Sequence, residues 1–195
     1  MSYLHNIPHD EVSFPLFGEI KKAFGFIPNF YRAQTLRTDL VEAEAQLVYT
    51  ALIKEGALPR KEKEYVFLAC AAASLNTYCV TAHCEIVRML KIEGPEAEAI
   101  ALDHNATNLP MRTKALLNFA LKLNNTAHDV RESDIEALRV YGYADQEILE
   151  TSAMVGVARL ATAIAFGLGA VPDFDNPRIV LAKQPSSVDE VDIFA

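Results

Sequence analysis

Glycine and proline divide the chain into stretches whose apolar residues recur at helical spacing. Residues 14–24, FPLFGEIKKAF, read as a short amphipathic helix stopped by Gly25, and Pro28 opens a second short one, PNFYRAQTLR. Asp39 to Glu55 reads as a full helix, with Leu40, Ala43, Leu47, Thr50, Ala51 and Leu52 near one face and Gly56 as its stop. Pro59 opens the next helix at its first turn, where a missing N–H is harmless, and that helix runs to about Leu75. After a break at Asn76-Thr77-Tyr78, a helix starts near Cys79 and ends at Gly94. Pro95 opens a short helix to His104, Pro110 opens Met111 to Asn124, and Ser133 or Asp134 caps a helix through Tyr141, ended by Gly142. Ala144 to Leu168 forms one long apolar helix. The only strand candidate is Ile179-Val180-Leu181, and Pro172, Pro177 and Pro185 keep the tail extended. The pattern predicts an all-α fold of helix hairpins: a single domain over residues 1–175 and an extended tail over 176–195.

Composition sharpens this picture. Of 195 residues, 51% are hydrophobic and 23% charged, so the chain can bury a sizeable core without disulfides or metals. The net charge of −8 argues against nucleic acid and anionic membranes, both of which attract basic surfaces. Ala153 to Pro172 is about the ~20 residues needed to cross a bilayer. Arg159 lies inside it, however, and its small residues suit a helix buried nearly all round, in a core or a subunit interface. The first eight residues lack a basic region and an apolar run, and the three cysteines are an odd number. Together these features predict a reducing, cytoplasmic setting in which cysteines are catalytic or buried.

The segment Lys61 to Leu90 carries the candidate chemistry. Cys79 and His83 are four apart, so they share one helix face, one turn from each other. Cys79 falls at or just before the first turn, where the helix dipole favours a thiolate, and His83 can take or give the thiol proton. The turn at 76–78 folds the preceding helix back, so that Glu64 can orient the imidazole. The plainer readings are a small buried hydrophobe for Cys79, a satisfied core histidine for His83 and a solvated charge run for Arg60 to Glu64. Cys70 reads as core, Cys84 is badly placed for an intrahelical bridge to Cys79, and Phe67, Leu68, Val87 and Leu90 read as core first and substrate lining second. His5 and His9 precede any clear helix, His104 and His128 read as surface residues, and no set of residues has the spacing of a metal site or a phosphate loop.

The spacing of Glu64, Asn76, Tyr78-Cys79 and His83 resembles the alkylhydroperoxidase AhpD and carboxymuconolactone decarboxylase-like family. The family's signature is a glutamate, a Cys-x-x-Cys, and a histidine four past the second cysteine. Residues 25–33 and 140–148 also look like its peroxidase-related branch. The resemblance implies an AhpD-like helical bundle and a thiol-dependent peroxidase. Cys79 would be the redox cysteine, His83 and Glu64 its proton relay, and Asn76 and Tyr78 the pocket. It also implies a peroxide substrate, an external thiol reductant, no metal or organic cofactor, and a homo-oligomer, trimeric or hexameric. The family's first cysteine falls on Asn76, so the local disulfide cannot form and a sulfenic acid at Cys79 needs another thiol for its resolution. A decarboxylase-type enzyme and a non-catalytic oligomeric scaffold or binding protein are the alternatives.

Overall fold

A computed structural model describes residues 2–4, 15–179 and 181. Among the described residues the secondary structure is helical throughout, in nine α-helices and four short 3-10 or π segments. The helices are α1 (Pro15–Phe24), α2 (Asn29–Arg32), α3 (Thr38–Val48), α4 (Arg60–Ala73), α5 (Thr77–Met89), α6 (Ala97–Asp103), α7 (Met111–Asn125), α8 (Glu132–Val140) and α9 (Asp145–Leu168). The all-α expectation holds. His5 and His9, Val180 of the strand candidate and most of the 176–195 tail lie outside the described residues.

Helix α4 is the axis of the molecule. Every residue from Glu62 to Ala72 is buried, and α5, α6, α7 and α9 pack around it. The Glu62-Lys63-Glu64 part of its opening charge run is therefore buried, not solvated, contrary to the sequence reading. A buried charge needs a partner, and each of these has one. Glu62 accepts hydrogen bonds from Thr113 Oγ1 (3.0 Å) and the Tyr143 hydroxyl (2.8 Å) and faces Arg112. Lys63 donates to the Lys54 carbonyl (3.1 Å) and approaches Glu150 (3.5 Å). Glu64 binds Arg60 and His83.

Helix α9 begins where the Glu147 carboxylate accepts the Ala144 N–H (2.7 Å) and ends at Gly169, whose φ of 62° supplies the left-handed turn that closes a helix. It is long and apolar enough to cross a membrane, but here it docks on α4 and α7 through Ile148, Met154, Val155, Val157 and Ala158. It is not buried all round: Leu149, Ala153, Gly156 and Leu160 form an exposed face.

Several boundaries differ from the sequence reading. Helix α3 passes into a π turn over Tyr49–Ile53 before it stops. Its buried residues are Val41, Glu44 and Leu52, whereas Leu40 and Leu47 are exposed, so the inward face is rotated from the one expected. Helix α5 starts two residues earlier, at Thr77, and ends at Met89, which leaves Leu90 half exposed rather than in the core. Arg131, not Ser133 or Asp134, caps α8, with its N–H held by the Asp134 carboxylate (2.7 Å). His104 is buried, its Nε2 bound to Asn118 Oδ1 (2.8 Å), because a 3-10 turn at His104–Ala106 folds it onto α7. His128 is exposed as expected.

Candidate functional site

The turn between α4 and α5 spans only Ser74 to Asn76. Leu75 adopts a φ of 57°, which reverses the chain tightly enough to lay α5 back along α4. Asn76 then caps α5: its Oδ1 accepts the Cys79 N–H (3.0 Å), and its Nδ2 donates to Thr162 Oγ1 on α9 (3.1 Å). Asparagine is a strong N-cap because its side-chain oxygen satisfies a backbone donor that the helix itself cannot.

The antiparallel packing places Glu64 beside His83. Glu64 Oε2 lies 2.7 Å from His83 Nδ1, and its Oε1 accepts from Arg60 Nε (2.8 Å) and Nη2 (2.5 Å). Glu64 is fully buried. Burial alone would push its carboxyl up, but His83 and Arg60 more than offset this and hold it below the usual carboxylate range. An ionised Glu64 accepts a proton-bearing Nδ1, so the tautomer with Nε2 free to act as a base is favoured. Phe67 stacks on the imidazole (centroids 3.7 Å apart, planes 18°), which fixes the ring's orientation.

Cys79 and His83 open onto one cavity of about 100 Å³. Its walls are mostly apolar: Phe24, Phe30, Val48, Leu52, Phe67, Ile86, Ala161 and Phe174. Tyr78 closes one side. Its ring lies near Phe30 (5.9 Å), and its hydroxyl donates to Asp173 Oδ2 (2.5 Å) while accepting the Phe30 N–H (3.0 Å). Asp173 also accepts the Asn29 N–H (3.1 Å) and so ties the segment after α9 to α2 and α5.

Three of the five predicted site residues, Cys79, His83 and Tyr78, line this cavity, Glu64 stands behind His83, and Asn76 caps the helix that carries Cys79. The electrostatics of Cys79 differ from expectation. Its thiol is buried and pushed up to about 12, because the loss of water outweighs the opposing Asn76 side chain. The helix start does not produce a resting thiolate here, because desolvation outweighs it. All three cysteines are free and buried. Burial holds Cys70 up to about 12 and Cys84 up to about 11, and neither lines the cavity.

The sequence reading missed Tyr31, Glu44 and Asp173, which also line the cavity. Glu44 had a detectable signal: it shares a helical stripe with Val41 and Val48, at three and four residues' spacing. Asp173 had none, because only the fold brings the segment after α9 to α5. Among the described residues, no three His, Cys, Asp or Glu side chains cluster to hold a metal.

No family model matches the chain, and no curated protein matches it. Solved structures do. An alkylhydroperoxidase AhpD core, a peroxidase-related protein from Ralstonia eutropha JMP134, is 30% identical with a TM-score of 0.76, over 81% of this chain and 83% of its own. A peroxidase-related protein from Silicibacter sp. TM1040 is 21% identical with a TM-score of 0.79, over 86% and 90%. The debrominase Bmp8, in complex with 2,3,4-tribromopyrrole, shares the fold at 16% identity and a TM-score of 0.74, over 88% and 93%. A helix-bundle fold shared across most of both chains, at the identity seen with the Ralstonia protein, places this chain in the AhpD-like alkylhydroperoxidase family.

Proposed function

We propose that the chain is a thiol-dependent peroxidase of the AhpD type with Cys79 as its redox cysteine. The observation that carries the reading is a cysteine on the wall of an apolar cavity, one helical turn from a histidine whose far nitrogen is held by a buried, ionised glutamate. Because the thiol rests protonated, His83 removes its proton as the sulfur attacks. The thiolate sulfur bonds to the distal peroxide oxygen, the O–O bond breaks, and Cys79 leaves as a sulfenic acid while the alkoxide takes a proton. Asn76 provides no second thiol, so an external thiol condenses with the sulfenic acid and releases water. A second thiol then frees Cys79 as the external disulfide forms. The balance is one hydroperoxide and two thiols giving one alcohol, one disulfide and water. Neither a metal nor an organic cofactor enters this scheme.

The working form is a homo-oligomer, a trimer or a dimer of trimers. What supports it is a group of exposed apolar residues, Leu36 before α3, Leu40 and Leu47 on α3 and Leu160 on α9, that line one open groove. A second reading, a non-catalytic scaffold that kept the fold, is favoured by one observation: Asn76 stands where the resolving cysteine would be. A coupled assay separates the two. The wild type is expected to consume an alkyl hydroperoxide at the expense of dithiothreitol, and Cys79→Ser to consume none. Equal rates for the two would overturn the peroxidase reading.

A further inference from the structure

Among the described residues, three buried glutamates face arginines. Glu62 meets Arg112, Glu64 meets Arg60, and Glu98 meets Arg88 and Arg178. Glu44 is buried too, at 6% exposure, yet among the described residues no cation pairs with it. Arg37, the nearest basic residue along its helix, forms a forked pair with Asp39 in solvent. Glu44 Oε2 accepts a hydrogen bond from Gln34 Nε2 (3.0 Å), and Oε1 has no hydrogen-bond partner among the described residues. The carboxyl lines the cavity with Cys79 and His83.

A carboxylate in apolar walls without a cation is costly, whereas a neutral carboxyl is tolerated and can donate a proton. Burial accordingly pushes Glu44 upward, against the pull of Gln34. Packing gives no reason for a carboxyl here. Val41 and Val48 occupy the same stripe, and an apolar side chain would fill the position without desolvation.

We propose that Glu44 is the general acid of this cavity, protonating the alkoxide released when Cys79 attacks a small apolar hydroperoxide. The inference rests on the peroxidase reading of Cys79. The Cys79 proton passes to His83, the sulfur–oxygen bond forms, the O–O bond breaks, and the leaving oxygen takes the Glu44 proton. The proton held by His83 then returns to Glu44 through solvent, so each turnover is neutral in protons. The other candidates are already committed or too weak. Asp173 is occupied by Tyr78 and Asn29, and Tyr31 is held protonated up to about 12, far too weak an acid to match a carboxyl. The cavity is somewhat smaller than the ~150 Å³ that accommodates benzene, which makes compact alkyl hydroperoxides the substrate class.

The test uses leaving-group chemistry. An alkoxide needs a proton as it leaves, whereas the acetate released from peracetic acid does not. Glu44→Gln keeps the volume and the contact to Gln34 but cannot supply a proton. Oxidation of Cys79 by tert-butyl hydroperoxide is expected to slow by about 100-fold in Glu44→Gln. Oxidation by peracetic acid is expected to change by less than about threefold. The thermal midpoint is measured beside both rates, and Glu44→Asp, which keeps the acid, is expected to recover most of the hydroperoxide rate. Equal slowing with both oxidants, or no slowing with either, would refute the role of Glu44. If wild-type Cys79 is oxidised by neither reagent, the peroxidase reading itself fails.

Discussion

Replacing Glu64 with leucine removes a buried acceptor shared by two donors. Arg60 loses both of its contacts, at 2.8 and 2.5 Å, and His83 loses its Nδ1 partner at 2.7 Å. Breaking a buried charged pair by deleting one partner typically costs about 3–5 kcal/mol. Two features set this case at the low end. The Arg60 side chain is 31% exposed and can recover water, and the new leucine buries apolar surface. The expected loss is therefore about 3 kcal/mol, or a midpoint drop of roughly 6–12 °C for a chain of this size. The pH dependence is a sharper signature. The Glu64 carboxyl is held below its unfolded value, so its contribution is fully present above about pH 4.3 and is lost as pH falls through the folded value. Urea titrations followed by far-ultraviolet circular dichroism, at fixed protein concentration, should show a gap between wild type and Glu64→Leu that is constant from pH 8 to pH 5 and narrows below about pH 4.3. A gap under about 1 kcal/mol, or one that persists unchanged at pH 3, would refute the pairing argument.

The remaining predictions concern access and reactivity. Alkylation of Cys79 by iodoacetamide should still be rising at pH 9–10, because the thiol is raised rather than depressed; a plateau below pH 8 would contradict this. Tyr78→Phe removes the hydroxyl bond to Asp173 and orphans the Phe30 N–H, so it should cost about 1.5–3 kcal/mol and speed alkylation of Cys79, both read by denaturation and mass spectrometry. Unchanged alkylation would show that this contact does not close the cavity. Asn76→Cys places a thiol where a side chain already reaches the first turn at Cys79, and a local disulfide should form under mild oxidant despite the lost cap, worth ~1 kcal/mol. A variant that stays reduced would show that the two side chains do not face each other.

Much of the fold was legible because glycine and proline act through backbone geometry, which needs no tertiary context. Pro59, Pro110 and Gly25 stand at helix ends as expected. The pairing of Cys79, His83 and Glu64 was legible from helical spacing and one tight turn. What was hidden depends on packing. Glu62 to Glu64 read as a solvated run, since sequence does not show Arg112, Glu150 or Arg60 arriving to neutralise each charge. The inward face of α3 was misjudged because leucines at 40 and 47 suggest a core stripe, while the actual stripe runs through Val41 and Glu44. The state of Cys79 was misjudged because the helix dipole is visible in sequence and desolvation is not.

The central claim is that Cys79, alone of three buried cysteines, meets peroxide. The most direct measurement is a brief stoichiometric pulse of tert-butyl hydroperoxide in the presence of dimedone, followed by mass spectrometry of each cysteine-containing peptide. Cys79 lines the cavity and Cys70 and Cys84 do not, so the sulfenic-acid adduct is expected on Cys79 first. Equal labelling of the three cysteines, or labelling of Cys84 ahead of Cys79, would contradict the account.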